Sequence, residues 1–319
     1  MPVFPDASPM QATAKQGGIV TDAPHYVLVT AAFNEERYIA GTIESVIHQT
    51  VLPQRWVIVS DGSTDRTDAI AKEYAEQYGF IRFMRREKQG GHDFSAKSLA
   101  LQDGFRLLTG RDYSFYCILD ADVSFDETYF QSILKKFHDN PKLGIAGGII
   151  LEYYNHKPRG RVASMSSVTG AVQCIRRECF PSDSCPVLTE IGGEDSVVEI
   201  RAKKNGWTVQ SFPDLRICHH RITGSADAAN LKSKFNYGIT DYRLGNPVIF
   251  EILKCCHRVL ERPFFLSGLA IFLGYSFSLF SNPEKLLSGD EITFVKKMQM
   301  QKLKRGLCGL LRIRKGGSV

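Results

Sequence analysis

The sequence lacks the cysteine spacings of a zinc site. Its 319 residues include eight cysteines, but no Cys-x-x-Cys pair and no regular interval between them. This argues against zinc knuckles and against a disulfide framework. Several of these cysteines lie in apolar runs, where a reduced thiol behaves as a small hydrophobic side chain. We therefore expect reduced cysteines and a reducing, cytosolic environment.

The beginning of the sequence lacks the pattern of a signal peptide, and the last part lacks acidic residues. The first residues show no basic stretch followed by an apolar core, so no signal peptide is predicted. Their Pro, Ala, Gln and Gly content predicts a flexible arm over residues 1–24. Near the other end, residues 296–315 contain no acidic residue and are strongly basic. Because no aromatic residues are interleaved with these basic ones, we do not expect a nucleic-acid partner.

From residue 25 onward, apolar runs alternate with amphipathic segments, in a chain that is 43% hydrophobic. The alternation predicts a mostly parallel, Rossmann-like sheet covered by helices, which is an α/β fold. Strands are predicted at residues 25–33, 55–62, 81–86 and 115–122, and helices at 35–49, 67–79, 95–108 and 126–138. Further on, the pattern predicts a strand over 143–154, a loop over 157–161, a helix over about 195–205 and a short strand over 207–212.

Three of the predicted strands end in polar turns that carry acidic residues: "FNEE", "SDGSTD" and "LDADVS". The carboxyl ends of parallel strands form the ligand-binding edge of such a sheet. In the third turn, Asp120 and Asp122 are two residues apart, so in an extended strand both carboxylates point the same way. Two like charges this close favour a hard divalent cation between them, which indicates Mg²⁺ or Mn²⁺.

The ordered set "VTAAFNEERYIAGTIESVIHQT", "VSDGSTDRT", "LDADV" and "GGEDSVVEIRAKKNGW" resembles the inverting family 2 glycosyltransferases with a GT-A fold. The resemblance covers roughly residues 25–225 and implies a GT-A domain over 25–230. Its nucleotide-binding half is expected at 25–122 and its acceptor half at 123–230. The remainder, 231–319, is expected to be a helical, apolar and basic membrane-associating region.

The resemblance also implies roles for individual residues. Asp195 corresponds to the catalytic base, with Glu194 beside it, and Asp122 to the ligand of a metal that bridges the donor diphosphate. His219 is the first choice and His220 the second for a histidine that completes the metal site. On the acceptor side, where the resemblance is loose, Arg176 and Arg177 are candidates for holding an anionic acceptor, but a structural role for these surface charges is favoured. The residues expected to contact the nucleotide-sugar are Ala31, Phe33, Glu35, Asp61, Lys97 and Asp120, the last through the ribose or the metal.

An uncharged run from 263 to 283 is near the length of a membrane span. It is compatible with a single span, a re-entrant or in-plane element, or a buried helix. A span would place the basic residues after 296 on the far side, against the positive-inside tendency. We therefore expect a peripheral or monotopic protein at the cytoplasmic face of the cell membrane, in contact with the inner membrane surface.

Together these features predict a metal-dependent transferase that moves a sugar from a UDP- or GDP-type donor to an acceptor hydroxyl. The acceptor is expected to be a glycan, with lipid linkage favoured, in cell-surface polysaccharide synthesis. Two alternatives remain: a polyprenyl-phosphate glycosyltransferase, and a non-catalytic nucleotide- or glycan-binding module.

Overall fold

The computed structural model describes residues 25–87, 95–108, 113–154, 157–160, 164–180, 193–221, 227–258 and 265–316. The predicted flexible arm of residues 1–24 lies outside the described residues. Strands and helices alternate through the first half of the chain, as predicted from the apolar periodicity. In order, they are β1 Tyr26–Ala32, α1 Ile39–Ile47, β2 Arg55–Asp61, α2 Thr67–Gln77, β3 Ile81–Arg86, α3 Ser95–Arg106 and β4 Phe115–Leu119.

The second half of the chain adds strands of mixed direction and a group of helices. The elements up to the last strand are β5 Val123–Phe125, α4 Tyr129–Asp139, β6 Leu143–Tyr154, β7 Lys157–Gly160, β8 Val172–Arg176, a 3-10 turn at Arg177–Cys179, α5 Glu194–Lys204 and β9 Thr208–His219. Four helices follow: α6 Asp227–Arg243, α7 Val248–Arg258, α8 Leu266–Ser281 and α9 Gly289–Gly316. The predicted boundary at residue 230 falls within α6.

The described strands form one sheet in the order β3-β2-β1-β4-β8-β6-β9-β5, with β7 paired to β6. The first four strands in this order run parallel. Beyond them, β8 is antiparallel to both β4 and β6, and β6 is parallel to β9. The carboxyl ends of β1, β2 and β4 therefore meet at one edge, where the sequence predicts the site.

Each face of the parallel half is buried, because residues that alternate along a strand point to opposite sides. Leu28 and Trp56 pack with α1 and α4 on one face. On the other, Val29 and Val59 pack with α3. A β-carbon added at Gly104 of α3 would overlap Val29 Cγ1, so this glycine lets the helix approach the sheet closely. The continuous apolar character of the strands thus follows from burial on both faces.

Two elements differ from the sequence predictions. The segment predicted as a loop over 157–161 contains β7, which pairs with β6. The strand predicted over 207–212 continues to His219, so β9 is twice the expected length. Pro213 and Asp214 indicate a turn, yet the strand passes them through a shift of register against β6, between Gly148 and Ile149. A bulge of this kind accommodates a proline that lacks a backbone donor.

A disulfide joins Cys117 of β4 to Cys174 of β8. The two residues face each other directly across the antiparallel pair. The expectation of reduced cysteines is therefore wrong for this pair, because pairing across strands leaves no signature in sequence spacing. The other cysteines that the structure describes are Cys179, Cys218, Cys255 and Cys256, and they are thiols.

The C-terminal helices pack on one another and on α5. Helices α6 and α8 cross at Gly238 and Gly274, where a β-carbon on either glycine would overlap the backbone of the other helix. Leu286 and Val295 pack against Val197 of α5 in a separate small core. Within the described ranges, no helix combines the length and apolar character of a membrane span.

Candidate active site

The loops that follow β1 and β2 are joined by hydrogen bonds at the predicted edge of the sheet. The backbone amide of Asn34 donates to Ser63 Oγ at 3.1 Å, and Asn34 Oδ1 accepts from the amide of Thr64 at 2.8 Å. Glu35 is fixed similarly, because its amide donates to Thr67 Oγ1 at 2.7 Å. Asn34 adopts a left-handed conformation with φ 54°, which asparagine tolerates better than most residues. The two loops thus form one surface, as predicted.

Asp61 lies at the end of β2 and is only 4% exposed. Its Oδ1 accepts a hydrogen bond at 2.7 Å from Arg86 Nη1, at the end of β3. Arg86 Nε lies 3.2 Å from Asp103 Oδ2 of α3. Arg86 is a site residue that the sequence prediction missed, although it ends a strand next to β2. Ala31 and Phe33 are half-buried at and just after the end of β1, the strand that pairs with β2.

Lys97 of α3 reaches the turn after β4. Its Nζ lies 2.6 Å from Asp120 Oδ1, and both side chains are partly exposed. The backbone amide of Asp120 donates to the carbonyl of Ala171 at 2.8 Å. The side chain of Asp120 is therefore held by the Lys97 ammonium, and its backbone by the segment before β8.

Asp120 and Asp122 lie in a turn between β4 and β5, not within an extended strand. Their carboxylates nevertheless converge with His219 of β9. One ligand atom from each of the three residues lies within 4.8 Å of the others. Burial raises the pKa of Asp122, although the charges of His219 and Arg221 oppose this. A bound divalent cation would remove the repulsion between the acids and favour their ionised forms.

The two histidines face different partners. His219 Nδ1 lies 2.5 Å from the carbonyl oxygen of Arg221, which can only accept a hydrogen bond, so Nδ1 carries the proton. The other ring nitrogen, Nε2, lies 3.6 Å from Asp122 Oδ1 and faces the acidic cluster, so it is placed to bind a cation held there. His220 Nε2 instead lies 2.8 Å from Ser124 Oγ, and its ring stacks beside Tyr38. The geometry therefore favours His219 over His220 as a metal ligand.

Arg221 connects the acidic cluster with the loop after β1. Its Nη2 lies 2.5 Å from Glu35 Oε2, and its Nε lies 3.6 Å from Asp122 Oδ2. Burial raises the pKa of Glu35 to about 7, with Arg221 acting in the opposite direction. Half of the Arg221 side chain is exposed, so its guanidinium lies at the mouth of the site.

Asp195 is the second residue of α5. Gly193 precedes the helix in a left-handed conformation with φ 79°, which glycine adopts without strain. Asp195 Oδ1 accepts a hydrogen bond at 2.7 Å from the amide of Ser196, in the first turn, where the helix dipole stabilises negative charge. The carboxylate lies against Gly170, the residue before Ala171. The segment 170–171 therefore contacts both Asp195 and Asp120. The side chain of Glu194 lies outside the described residues.

The contacts of Arg176 and Arg177 agree with the favoured structural role and not with binding of an anionic acceptor. Arg176 pairs with Phe115 at the start of β4, whereas the site lies beyond the end of that strand. Its guanidinium donates to the carbonyls of Leu143 and Phe137 at 3.0 and 2.7 Å. Arg177 stacks over the ring of Tyr113 at the same edge. The five residues of β4 span roughly 16 Å, so both arginines lie well away from the site. They stabilise the opposite edge of the sheet.

The fold and this edge define an α/β protein whose ligand site is formed at the carboxyl ends of parallel strands. Residues 27–186, about half of the chain, match the model of the family described as glycosyl transferase family 2. The chain therefore belongs to glycosyl transferase family 2.

Among curated proteins, the chain is 28% identical over 145 residues to poly-beta-1,6-N-acetyl-D-glucosamine synthase of Staphylococcus epidermidis. The protein of that name from Staphylococcus aureus strain COL is 27% identical over the same length. These alignments cover 46% of this chain, but only 31% of either relative. The chain thus matches about a third of the length of these relatives.

Two solved structures share the fold. The mannosyltransferase PcManGT from Pyrobaculum calidifontis, in complex with GDP-Man and Mn²⁺, superposes with a TM-score of 0.54 at 13% identity, covering 91% of this chain and 88% of that one. S. aureus TarS 1–349 in complex with UDP gives 0.51 at 14% identity, covering 81% and 72%. The predicted GT-A fold is confirmed, with a glycosyltransferase domain carried on a mixed α/β sheet.

Proposed function

We propose that this protein is a metal-dependent, inverting glycosyltransferase that moves a sugar from a nucleoside-diphosphate donor to an acceptor hydroxyl. One observation carries the proposal: segment 170–171 contacts Asp195 on one side and Asp120 of the acidic cluster on the other. A base for the acceptor and a binding site for the donor diphosphate would thus lie on either side of the same short segment. Such a pairing is what transfer chemistry requires.

The donor would lie along the edge formed by the ends of β1, β2 and β4. Ala31, Phe33 and Glu35 would flank the nucleotide from one loop, with Asp61 from the next. Asp61 and Arg86 together present a hydrogen-bond acceptor and a donor, which suits the edge of a nucleobase. Lys97 would lie near the phosphates, because its ammonium already pairs with Asp120.

The acidic cluster suits a divalent cation. Asp120, Asp122 and His219 offer two carboxylates and an imidazole nitrogen that lies close to them. A mixed oxygen and nitrogen set suits Mn²⁺ better than Mg²⁺, which prefers oxygen ligands. A cation held there would neutralise the charge that develops on the departing diphosphate. Arg221, at the mouth of the site, would contribute a second positive charge to the same oxygens.

Asp195 would take the proton of the attacking acceptor hydroxyl. Its carboxylate is partly exposed and oriented by the amide of Ser196, so it is available to an acceptor that approaches over Gly170. Attack from the face opposite the leaving diphosphate inverts the anomeric configuration in a single displacement. No covalent sugar intermediate on the protein is then needed.

For the substrates, we propose a UDP-linked N-acetylhexosamine as the first donor to test, with GDP-mannose second. The names of the matched relatives support this order, since two are synthases of poly-beta-1,6-N-acetyl-D-glucosamine. A β-linked product from an α-linked donor is also the result of inversion. We propose a glycan acceptor carried on a lipid at the cytoplasmic face of the cell membrane, in cell-surface polysaccharide synthesis.

The test compares wild-type protein with Asp195→Asn and Asp122→Ala in a Mn²⁺-containing transfer assay, using UDP-N-acetylglucosamine and GDP-mannose as donors. Loss of a general base lowers the rate by about 10²–10⁴-fold, so we expect this for Asp195→Asn, with UDP binding retained in calorimetry. Asp122→Ala should lose Mn²⁺-dependent nucleotide binding as well. The matched control is Asp214→Asn, which changes an exposed aspartate in the middle of β9, five residues before His219. Full transfer by Asp195→Asn would refute the assignment of the base.

A further inference from the structure

Helices α7 and α8 carry a large exposed apolar surface. We use the term apolar surface for the exposed large side chains of these helices and of Phe265, which precedes α8. Most are a third to a half exposed, and Phe280 is 90% exposed. A cluster of this size is unusual on a protein that contacts only water. The members are Val248, Ile249, Ile252, Leu253, Phe265, Leu266, Leu269, Phe272, Leu273, Phe277, Leu279 and Phe280.

The exposed apolar side chains of α8 lie mostly on one face of the helix. Along α8, Leu269, Leu273, Phe277 and Phe280 recur at intervals of three and four residues, so they lie on the same side. The opposite side carries small residues and Tyr275 and packs against α6. Helix α7 packs beside α8 and has the same pattern, exposed at 249, 252 and 253. The exposed apolar side chains thus lie on two helices that are packed against each other.

The chemistry of this surface indicates what covers it. Residues 265–281 contain no charged side chain, and every exposed large side chain in them is a leucine or a phenylalanine. Protein interfaces usually carry about one hydrogen bond per 100–200 Å² and a polar rim. A face with so few hydrogen-bonding groups suits hydrocarbon better than another protein surface. With 16 residues, α8 is also shorter than the roughly 20 needed to cross a bilayer.

Helix α9, which carries exposed basic residues, contacts a residue that precedes the start of α7. Gln299 of α9 donates to Asn246 Oδ1 at 3.0 Å, just before α7 begins, so α9 passes the start of α7. Around this contact α9 exposes lysines 296 and 297, and further on Lys304 and Arg305. An exposed apolar helix face combined with exposed cationic side chains elsewhere in the same helical region is typical of proteins that bind anionic membrane surfaces.

We propose that the apolar surface is a bilayer-docking site, with α7 and α8 lying in the plane of the lipid interface and the lysines of α9 contacting anionic headgroups. This deepens the proposed function, because it explains how the enzyme reaches a lipid-linked acceptor. The connection to the active site is short. Gly238 of α6 packs against α8, and Thr240, two residues later, contacts Gly193 at the start of the helix that carries Asp195.

The experiment measures co-sedimentation of the full chain with vesicles of phosphatidylcholine alone or mixed with phosphatidylglycerol. The test variant is Leu269→Gln with Leu273→Gln, which are 52% and 50% exposed. The matched control is Leu52→Gln with Met165→Gln, both 47% exposed and outside the C-terminal helices. A third variant, Lys296→Gln with Lys297→Gln, tests the headgroup contact. Thermal unfolding and UDP binding verify that each variant is folded.

We expect wild type and control to bind the mixed vesicles, and the α8 variant to bind at least about tenfold more weakly, since burial of a leucine strengthens partitioning by more than that. The α9 variant should lose only the part of vesicle binding that depends on phosphatidylglycerol. Equal binding by the α8 variant, or no binding by wild type, would overturn the proposal. So would a dimer by light scattering that dissociates in the α8 variant. Transfer to a soluble acceptor is measured separately, so failure of docking is distinguishable from failure of the proposed activity.

Discussion

The carboxylate of Asp195 lies directly against Gly170. A β-carbon added at Gly170 would lie 3.2 Å from Asp195 Oδ2 and 3.4 Å from its Cβ. The distance to Oδ2 is tighter than most contacts of a real β-carbon, so a side chain at residue 170 would require the carboxylate to shift by a few tenths of an ångström. Gly170 is not in the left-handed region, so its backbone itself would tolerate another residue.

Gly170→Ala should therefore displace Asp195 without unfolding the protein. A carboxylate moved by a few tenths of an ångström from its productive position lowers catalysis, and we expect transfer to fall by roughly 10- to 100-fold. The unfolding temperature and the affinity for UDP should stay near wild type. The measurements are kcat for transfer, thermal unfolding and calorimetric nucleotide binding.

The control for this variant is Gly41→Ala, because a β-carbon at Gly41 meets nothing within 4 Å. It should leave transfer unchanged and stabilise α1 slightly. If Gly170→Ala transfers sugar at the wild-type rate, the contact between Gly170 and Asp195 has no part in positioning the base.

Glu199 of α5 holds the segment that precedes Gly170. Its Oε1 accepts from Ser167 Oγ at 3.0 Å and from the amide of Val168, and its Oε2 pairs with Lys203 at 3.0 Å. This buried carboxylate thus connects α5 with the segment that leads to Gly170. Burial raises its pKa, and the lysine and these hydrogen bonds oppose that effect.

Glu199→Gln should loosen this connection. Loss of the buried charge weakens hydrogen bonds to charged groups that are worth about 1.5–3 kcal/mol, so the unfolding free energy should fall by about that amount. Transfer should fall by roughly tenfold while the KM for donor stays unchanged, because the proposed donor site is on the other side of Ala171. Urea unfolding and steady-state kinetics measure both. Glu76→Gln, at an exposed position on α2, is the control. A raised donor KM with normal kcat would contradict a positioning role.

The two histidines give a third prediction. His219→Gln removes an imidazole nitrogen that faces Asp122, so we expect at least a tenfold increase in the Mn²⁺ concentration needed for half-maximal UDP binding. His220→Gln removes only the contact with Ser124 and the stacking on Tyr38, and it should leave that concentration unchanged. Mn²⁺ titrations followed by calorimetry compare the two. An equal or larger effect of His220→Gln would reverse the assignment.

The sequence predicts the parallel half of the sheet well, because strands buried on both faces appear as continuous apolar runs. Strand β3 begins and ends at the predicted residues. The acidic turns are also predicted, since parallel strands bring their carboxyl ends to one edge whatever the loop details. Asp120 and Asp122 converge even though a turn, and not strand alternation, orients them.

What the sequence does not predict depends on strand direction and tertiary contact. Arg176 lies in the predicted acceptor half, but β8 runs antiparallel to β4 and carries this residue to the opposite edge. Arg86 contacts the site as a single residue from a separate strand, so no spacing reveals it. Strand β9 was predicted too short because Pro213 and Asp214 are typical of turns.

A fourth prediction concerns a buried acidic group away from the site. The side chain of Glu251 on α7 is fully buried, and its Oε1 lies 3.1 Å from Lys254 Nζ. Within the described part of the chain, its Oε2 has no hydrogen-bond partner. Lys254 also pairs with Asp241, so one cation serves two carboxylates. Burial, and then the charge of Asp241, raise the pKa of Glu251 to about 7.

The raised pKa of Glu251 determines whether the free energy of unfolding rises or falls with pH. Between pH 4.5 and 7, the folded protein keeps a proton on Glu251 that the unfolded chain releases, so stability falls as pH rises through this window and levels off above it. We expect the contribution to total about 1–3 kcal/mol. Glu251→Gln, which mimics the protonated form, should remove it, so the difference in unfolding free energy between variant and wild type should grow from pH 5 to pH 8. Urea unfolding at four pH values measures this, with the exposed Glu284→Gln as control. Parallel pH profiles for wild type and Glu251→Gln would show that Glu251 is ionised in the folded protein, since Lys254 would then fully compensate its burial.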